Sequence, residues 1–326
     1  MLWVHARLAE NVLAFASGLS ASGHVSGKVC MRRNFDRKKR RSILSWGVLV
    51  VALAMPRVLA EPCADTCPAP MWIDDRRITD AMTAGLHELL QKGPAPSMQA
   101  LVQQLNASRC TVELPRPKSS ILSPADIYER KKEGVLIVGT LMDCAKCGKR
   151  HASLAGGFVV TRDGVAVTAH HLVERPDHLV MGVMTWDGRL FPVTSILAAD
   201  KGADVVVFQM DGTGFQPLSL SDQARVGDPV TVISHPDNRY YSVTTGVISR
   251  YYYEKIQAKA VRRVAVTADF AGGSSGCPVL DQRGNVVGMV VRTSSLYAEG
   301  MDEKHDHLQM VVKSCVSSDV ILELFP

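Results

Sequence analysis

The sequence predicts an all-β protein with a small helical segment in front of it. Short runs rich in valine, isoleucine and threonine recur between residues 134 and 312. Turn-forming clusters separate them, as in Arg162-Asp163-Gly164, an Asp-Gly hairpin signal between two such runs. No internal repeat or low-complexity tract interrupts this texture. The pattern fits β-barrels or a sandwich and does not choose between them.

The 326 residues are 46% hydrophobic and 21% charged, ordinary for a globular chain with one large or two modest domains. The formal net charge is +5, yet the run Arg32 to Arg41 holds seven of the 37 basic residues. Without it the body is nearly neutral, so composition gives no ground for a nucleic-acid partner. The basic run follows Met31 and precedes an apolar stretch, Ile43 to Met55, then P-R-V-L-A-E-P. A charged n-region, a short apolar h-region and a small-residue site read as a signal peptide cleaved after Ala60. The apolar stretch is short for a membrane span, so membrane attachment is expected only if it stays uncleaved. Residues 1–60 are assigned to this region, with Met31 the expected start. The mature chain is expected to be exported, to a periplasmic or secreted location.

Export bears on the cysteines. Seven lie beyond Ala60, an odd number that leaves at least one free or intermolecular. Cys144-Ala-Lys-Cys147 is expected at a hairpin tip. It reads either as a small disulfide loop or as half of a zinc knuckle, completed by Cys63 and Cys67 or by His151. An oxidising compartment favours disulfides. A redox role is disfavoured, because no helix start follows the motif to lower a thiol pKa.

Residues 61–123 read as a helical accessory segment and linker. Ile78, Met82, Leu86 and Leu89 form one apolar stripe, and Met98, Leu101, Val102 and Leu105 another, with a break across Lys92 to Ser97. The expectation is a helical hairpin packed on the β-rich domain; a partner-binding or inhibitory segment is the alternative. Pro115 and Pro117 keep Leu114 to Ser120 extended. After a short helix over Ala125–Glu133, strands are expected at 134–142, 157–161, 165–168, 178–185, 190–197 and 205–210. Others are expected at 229–234, 242–250, 262–267, 279–280, 286–291 and 310–312, before a closing helix over Ser317–Phe325.

The chemistry gathers at Asp269 to Leu280, D-F-A-G-G-S-S-G-C-P-V-L. A serine on a tight glycine turn places a hydroxyl beside backbone N–H groups able to converge on a developing oxyanion. By itself such a turn is as readily an ordinary hairpin connection. Upstream, V-A-V-T-A-H-H-L-V (Val165 to Val173) runs a strand into a histidine pair, and A-D-V-V-V-F-Q-M (Ala203 to Met210) places an acid before a strand. The order His, Asp, Ser resembles chymotrypsin-type serine proteases, most closely the bacterial HtrA-like branch with its T-x-x-H-V-V, D-L-A-L-L and G-N-S-G-G-P segments. Val226 to Pro236, Val243 to Ser249 and Gly284 to Gly288 resemble further segments of that family in the same order.

The resemblance implies two six-stranded antiparallel β-barrels over 124–326, the first about 134–212 and the second about 213–326, with the active site in the cleft between them. It implies His171 as base rather than His170, Asp204 as its orienting acid and Ser275 as nucleophile. Gly273 and Ser275 would supply the oxyanion N–H groups. Protein or peptide substrates are implied; no cofactor and no metal is required, Cys144 and Cys147 being the one weak alternative for a metal. Asp269 would stand where trypsin-like enzymes keep a pocket acid, and Arg292 would line the substrate cleft. Ser274 and Cys277 depart from the usual pattern; Cys277 would pair with Cys315 or lie buried. No PDZ module is expected after Phe325. The function implied is an exported serine endopeptidase, and the alternative is a catalytically dormant protease-like binding module.

Overall fold

The computed structural model describes residues 71–326, apart from 94, 257–258 and 299–306. The segment assigned to targeting, with Cys63 and Cys67, lies outside the described residues. Among these residues twelve strands form two closed antiparallel barrels.

Barrel 1 comprises β1 (Val135–Asp143), β2 (Arg150–Val159), β3 (Val165–Thr168), β4 (His178–Met184), β5 (Leu190–Asp200) and β6 (Val205–Met210). Barrel 2 comprises β7 (Pro229–Ser234), β8 (Ser242–Ile256), β9 (Lys259–Val266), β10 (Pro278–Asp281), β11 (Val286–Tyr297) and β12 (Leu308–Ser317). The strand order is β1-β2-β3-β6-β5-β4 in the first and β10-β11-β12-β9-β8-β7 in the second. With six added to each number, the two circuits are the same. A repeat of topology thus exists without a repeat of sequence, because only the alternation of apolar and polar positions must recur.

Several strands outrun their predicted ends. β2 begins at Arg150 instead of Gly157, because polar Arg150 to Ser153 still pair with β1 through the register Asp143↔Arg150. β8, β11 and β12 likewise continue beyond the barrel as two-stranded ribbons, out to Ile256↔Lys259 and Tyr297↔Leu308. Ribbon residues face water on both sides, so their composition lacks the apolar run that marks a barrel strand.

Helix α1 (Asp75–Lys92) is capped by Asp74, whose carboxylate accepts the Arg77 N–H. It seats on barrel 1 where two glycines face each other across strands, Gly139 on β1 against Gly182 on β4. A Cβ at Gly139 would meet Met82 and Leu154; one at Gly182 would lie 2.8 Å from Leu89. The missing side chains make the groove that receives Met82 and Leu86, both fully buried. Each such side chain contributes about 2 kcal/mol by leaving water. Helix α2 (Met98–Gln103) buries Met98 and Leu101 in the same barrel.

The proline-containing segment is a strap pinned to both halves. Ala199 of β5 donates its N–H to Ala107 (2.7 Å), and Cys110 donates to Leu324 (2.9 Å). Further along, Arg116 accepts from the Ser219 hydroxyl, Lys118 exchanges two bonds with the Asn285 amide, and Leu122 donates to Gln282. Helix α3 (Pro124–Lys131) then starts in a capping box between Ser123 and Asp126. The chain closes with α5 (Ser318–Leu322). No helix among the described residues is long and apolar enough to cross a membrane.

The expected disulfides need correction. Cys110, Cys144, Cys147, Cys277 and Cys315 are all unbonded. Cys277 and Cys315 are fully buried, and burial pushes both thiols up, so they behave as small apolar core residues.

Candidate active site

β3 ends at Thr168 and the chain turns through α4 (His170–Val173), which carries both histidines. They part at once. His170 is buried, its Nδ1 facing Glu174 at 3.6 Å, and burial lowers its pKa. His171 is more open, with its side chain 42% exposed, and faces Asp204. Asp204 Oδ2 lies 2.8 Å from His171 Nδ1, and Oδ1 accepts the His171 backbone N–H at 2.9 Å. A carboxylate only accepts, so the Nδ1 carries the proton and Nε2 is left with a lone pair.

Asp204 precedes β6 in a left-handed conformation, φ 65°. Aspartate tolerates that region better than most residues, but some restraint must hold it there. Arg263 of β9 reaches across from barrel 2 and donates Nη1 to the carbonyl of Ala203, the neighbouring residue, at 2.6 Å. Its side chain is 2% exposed and its Nε bonds Glu254 at 3.1 Å. Burial lowers its pKa, and the charge of Asp204 is the largest opposing influence.

The serine turn is built from its own backbone. Ser274 donates its N–H to Ala271 and Cys277 donates to Ser274, while Gly276 and Val290 tie the turn to β11. Gly273 and Gly276 both have positive φ, 91° and 88°. Gly276 has no alternative: a Cβ there would overlap the Gly156 carbonyl oxygen and lie 2.6 Å from Thr168 Oγ1. Gly156 N–H donates to the Ser275 carbonyl at 2.8 Å, and Thr168 Oγ1 donates to the Gly156 carbonyl at 2.7 Å. The serine turn of barrel 2 is thereby set against the strand end of barrel 1, three residues before His171. Neither the Gly273 nor the Ser275 N–H has a protein acceptor among the described residues.

The Ser275 hydroxyl itself donates to the Val291 carbonyl at 3.0 Å. His171 is bonded through Nδ1 to Asp204 and makes no hydrogen bond to Ser275. The three residues singled out by sequence are thus gathered at the barrel junction, with one of the two links between their side chains made.

The remaining candidates fall elsewhere. The Asp269 side chain is 80% exposed and paired with Lys313 at 3.0 Å, and Lys313 also donates to the Phe270 carbonyl. Arg292 is paired with Glu254. Both charges are balanced within barrel 2. Cys144 and Cys147 lie at the far tip of the β1–β2 hairpin.

Four contributors were missed in the sequence. Gly156 hid in A-G-G-F, where a pair of glycines inside a strand marks close backbone approach. Arg263 showed as a charge within an apolar run, R-R-V-A-V. The Val291 carbonyl has no sequence signal at all. His235, directly after β7, is fully buried; it bonds the Leu136 carbonyl through Nε2 and accepts the Tyr241 N–H at Nδ1. Burial holds its pKa down to about 4, so it stays neutral as a bridge between barrels.

Residues 155–289 match the sequence model of the trypsin-like peptidase domain. The serine endoprotease DegS of Haemophilus influenzae is 27% identical over 158 residues, covering 46% of this chain and 46% of that protein. The Halomonas elongata protein named "Probable periplasmic serine endoprotease DegP-like" is 30% identical over 139 residues, 42% of this chain and 29% of its own. The chain therefore spans less than half the length of either relative. Among solved structures, the HtrA-type protease AlgW with a tripeptide superposes with a TM-score of 0.50 at 20% identity, over 62% of each chain, a likeness of fold.

Proposed function

Because the chain carries a trypsin-like peptidase domain similar to that of HtrA-type proteases, we propose that it is an exported serine endopeptidase using Ser275, His171 and Asp204. The observation that carries this reading is the two-point grip of Asp204 on His171, which leaves the other ring nitrogen, Nε2, without a protein hydrogen bond among the described residues. A lone histidine with a structural role has no need of a carboxylate on Nδ1 and its backbone N–H together.

In this reading the Ser275 hydroxyl leaves the Val291 carbonyl and turns to His171 Nε2 by rotation about χ1, the one torsion that moves it. His171 then takes the hydroxyl proton as Oγ bonds to the substrate carbonyl carbon. The imidazolium is stabilised by Asp204, and the oxyanion by the Gly273 and Ser275 N–H groups. Collapse breaks the peptide C–N bond, His171 returns the proton to the leaving amine, and water releases the acyl group by the reverse steps. The same swing frees the Val291 carbonyl. β11 pairs with β12 along this stretch, and among the described residues its other edge makes no backbone bond beyond Val290, so an extended peptide can add there as a strand. Periplasmic relatives and the basic-apolar leader support export.

A fluorophosphonate probe tests the reading on the purified chain. It is expected to label the wild type and leave Ser275→Ala unlabelled. A folded wild type that resists the probe at every concentration would instead favour the binding module, for which the Ser275–Val291 bond would be a permanent state.

A further inference from the structure

The tip of the β1–β2 hairpin brings together three soft ligands that the peptidase chemistry does not use. Sequence spacing is Cys-x-x-Cys-x-x-x-His: Cys144, Cys147 and His151. Their ligand atoms all lie within 4.8 Å of one another. Cys147 Sγ and His151 Nε2 are already in contact at 2.9 Å. A tetrahedral zinc ion with Zn–S of about 2.3 Å and Zn–N of about 2.0 Å holds such atoms roughly 3.5–3.8 Å apart. The widest pair closes by at most about 1 Å and the Cys147–His151 pair opens by about 0.6 Å, both within side-chain motion at an exposed tip.

The backbone is shaped for the purpose. Cys144 donates its N–H to Lys149 and accepts the Gly148 N–H at its carbonyl, each at 2.9 Å, and Gly148 turns the chain with φ 65°. Below the tip, Arg150 and Asp143 pair at 3.0 Å and clamp the last rung. Within the turn, the N–H groups of Cys147 and Lys146 point at the Cys144 sulfur.

We propose that Cys144, Cys147 and His151 form a binding site for a thiophilic divalent cation of the zinc class, with the fourth position open to water. Two thiolates and one neutral imidazole suit zinc better than calcium or magnesium, which take oxygen ligands. Binding expels the two thiol protons to solvent, so affinity falls as the pH is lowered. A disulfide between the two cysteines is the competing state, and it would abolish the site.

The test uses the full chain purified under reducing conditions. Metal content by mass spectrometry should give one zinc per chain, and cobalt(II) should give thiolate charge-transfer absorption. Both should vanish in Cys144→Ser/Cys147→Ser, with unchanged thermal unfolding of the metal-free proteins as the control for folding. His151→Ala should raise the apparent dissociation constant for zinc at least about tenfold, since even outer-shell changes cost that much. Cys63→Ser/Cys67→Ser should retain the metal. Zinc persisting in Cys144→Ser/Cys147→Ser, no effect of His151→Ala, or a Cys144–Cys147 disulfide in the freshly reduced chain would each overturn the proposal.

Discussion

Barrel 1 holds His171 and Asp204 by two hydrogen bonds between them, whereas barrel 2 parks the Ser275 hydroxyl on the Val291 carbonyl. The difference teaches where readiness is stored. The imidazole is locked by a carboxylate whose side chain is only 16% exposed and which cannot relax without losing both bonds. The hydroxyl exchanges one neutral acceptor for another, a balance within about 1 kcal/mol. Small changes on the barrel 2 side can therefore tip the pair, while barrel 1 tolerates little.

The largest effect should come from breaking the barrel 1 half. Asp204→Asn would present an amide that can donate to Nδ1, favouring the wrong tautomer. Turnover of a peptide substrate should fall ~10⁴-fold with KM little changed. A loss under tenfold would mean that Asp204 does not orient the base.

Next is the seat on which the serine turn rests. Gly276→Ala forces a side chain into the Gly156 carbonyl at a positive φ. It should destabilise by about 2–4 kcal/mol, lowering Tm by about 5–15 °C. An unchanged Tm would show that the two barrels have room to part at this point. The same measurement on Gly272→Ala is a sharp control, since a Cβ there meets nothing.

A smaller effect should reach barrel 2 through α1. Asp75 accepts the Tyr240 N–H at 2.9 Å and Thr79 bonds the Tyr240 hydroxyl, while Asp237 in the same loop donates to Gly272 at 2.6 Å. Asp75→Ala removes one bond in that chain without touching the cap, which is Asp74. Fluorophosphonate labelling should slow about fivefold, corresponding to ~1 kcal/mol, with Asp75→Asn restoring most of it. Equal rates in all three proteins would uncouple α1 from the serine turn.

How much the sequence revealed depends on the range of the interaction. His171, Asp204 and Ser275 each sit in a local pattern of strand, turn and small residue, so the family resemblance could single them out, and the register of that resemblance preferred His171 to His170. The two-barrel fold was legible through resemblance, and the stripe Met82, Leu86 through helical period. Arg263 on Ala203, Gly156 on Ser275 and the glycine pair beneath α1 are contacts between segments distant in the chain. They leave only a glycine or a stray charge, which many other causes also produce. Cys277 and Cys315 were open to pairing on sequence because cysteine positions along a chain do not tell whether two sulfurs are close.

The strap from Ala107 to Leu122 has a mechanical consequence. It is bonded to barrel 1 at Ala199 and to barrel 2 at Ser219, Asn285 and Gln282, along the side of the molecule that also receives the C-terminal Leu324. A book whose covers are joined by ribbon as well as by its spine does not swing open; its covers can only slide. Relative motion of the two barrels should accordingly be shear of a fraction of a helical or strand repeat, and access for a peptide must come from adjustments of loops around a nearly rigid slot.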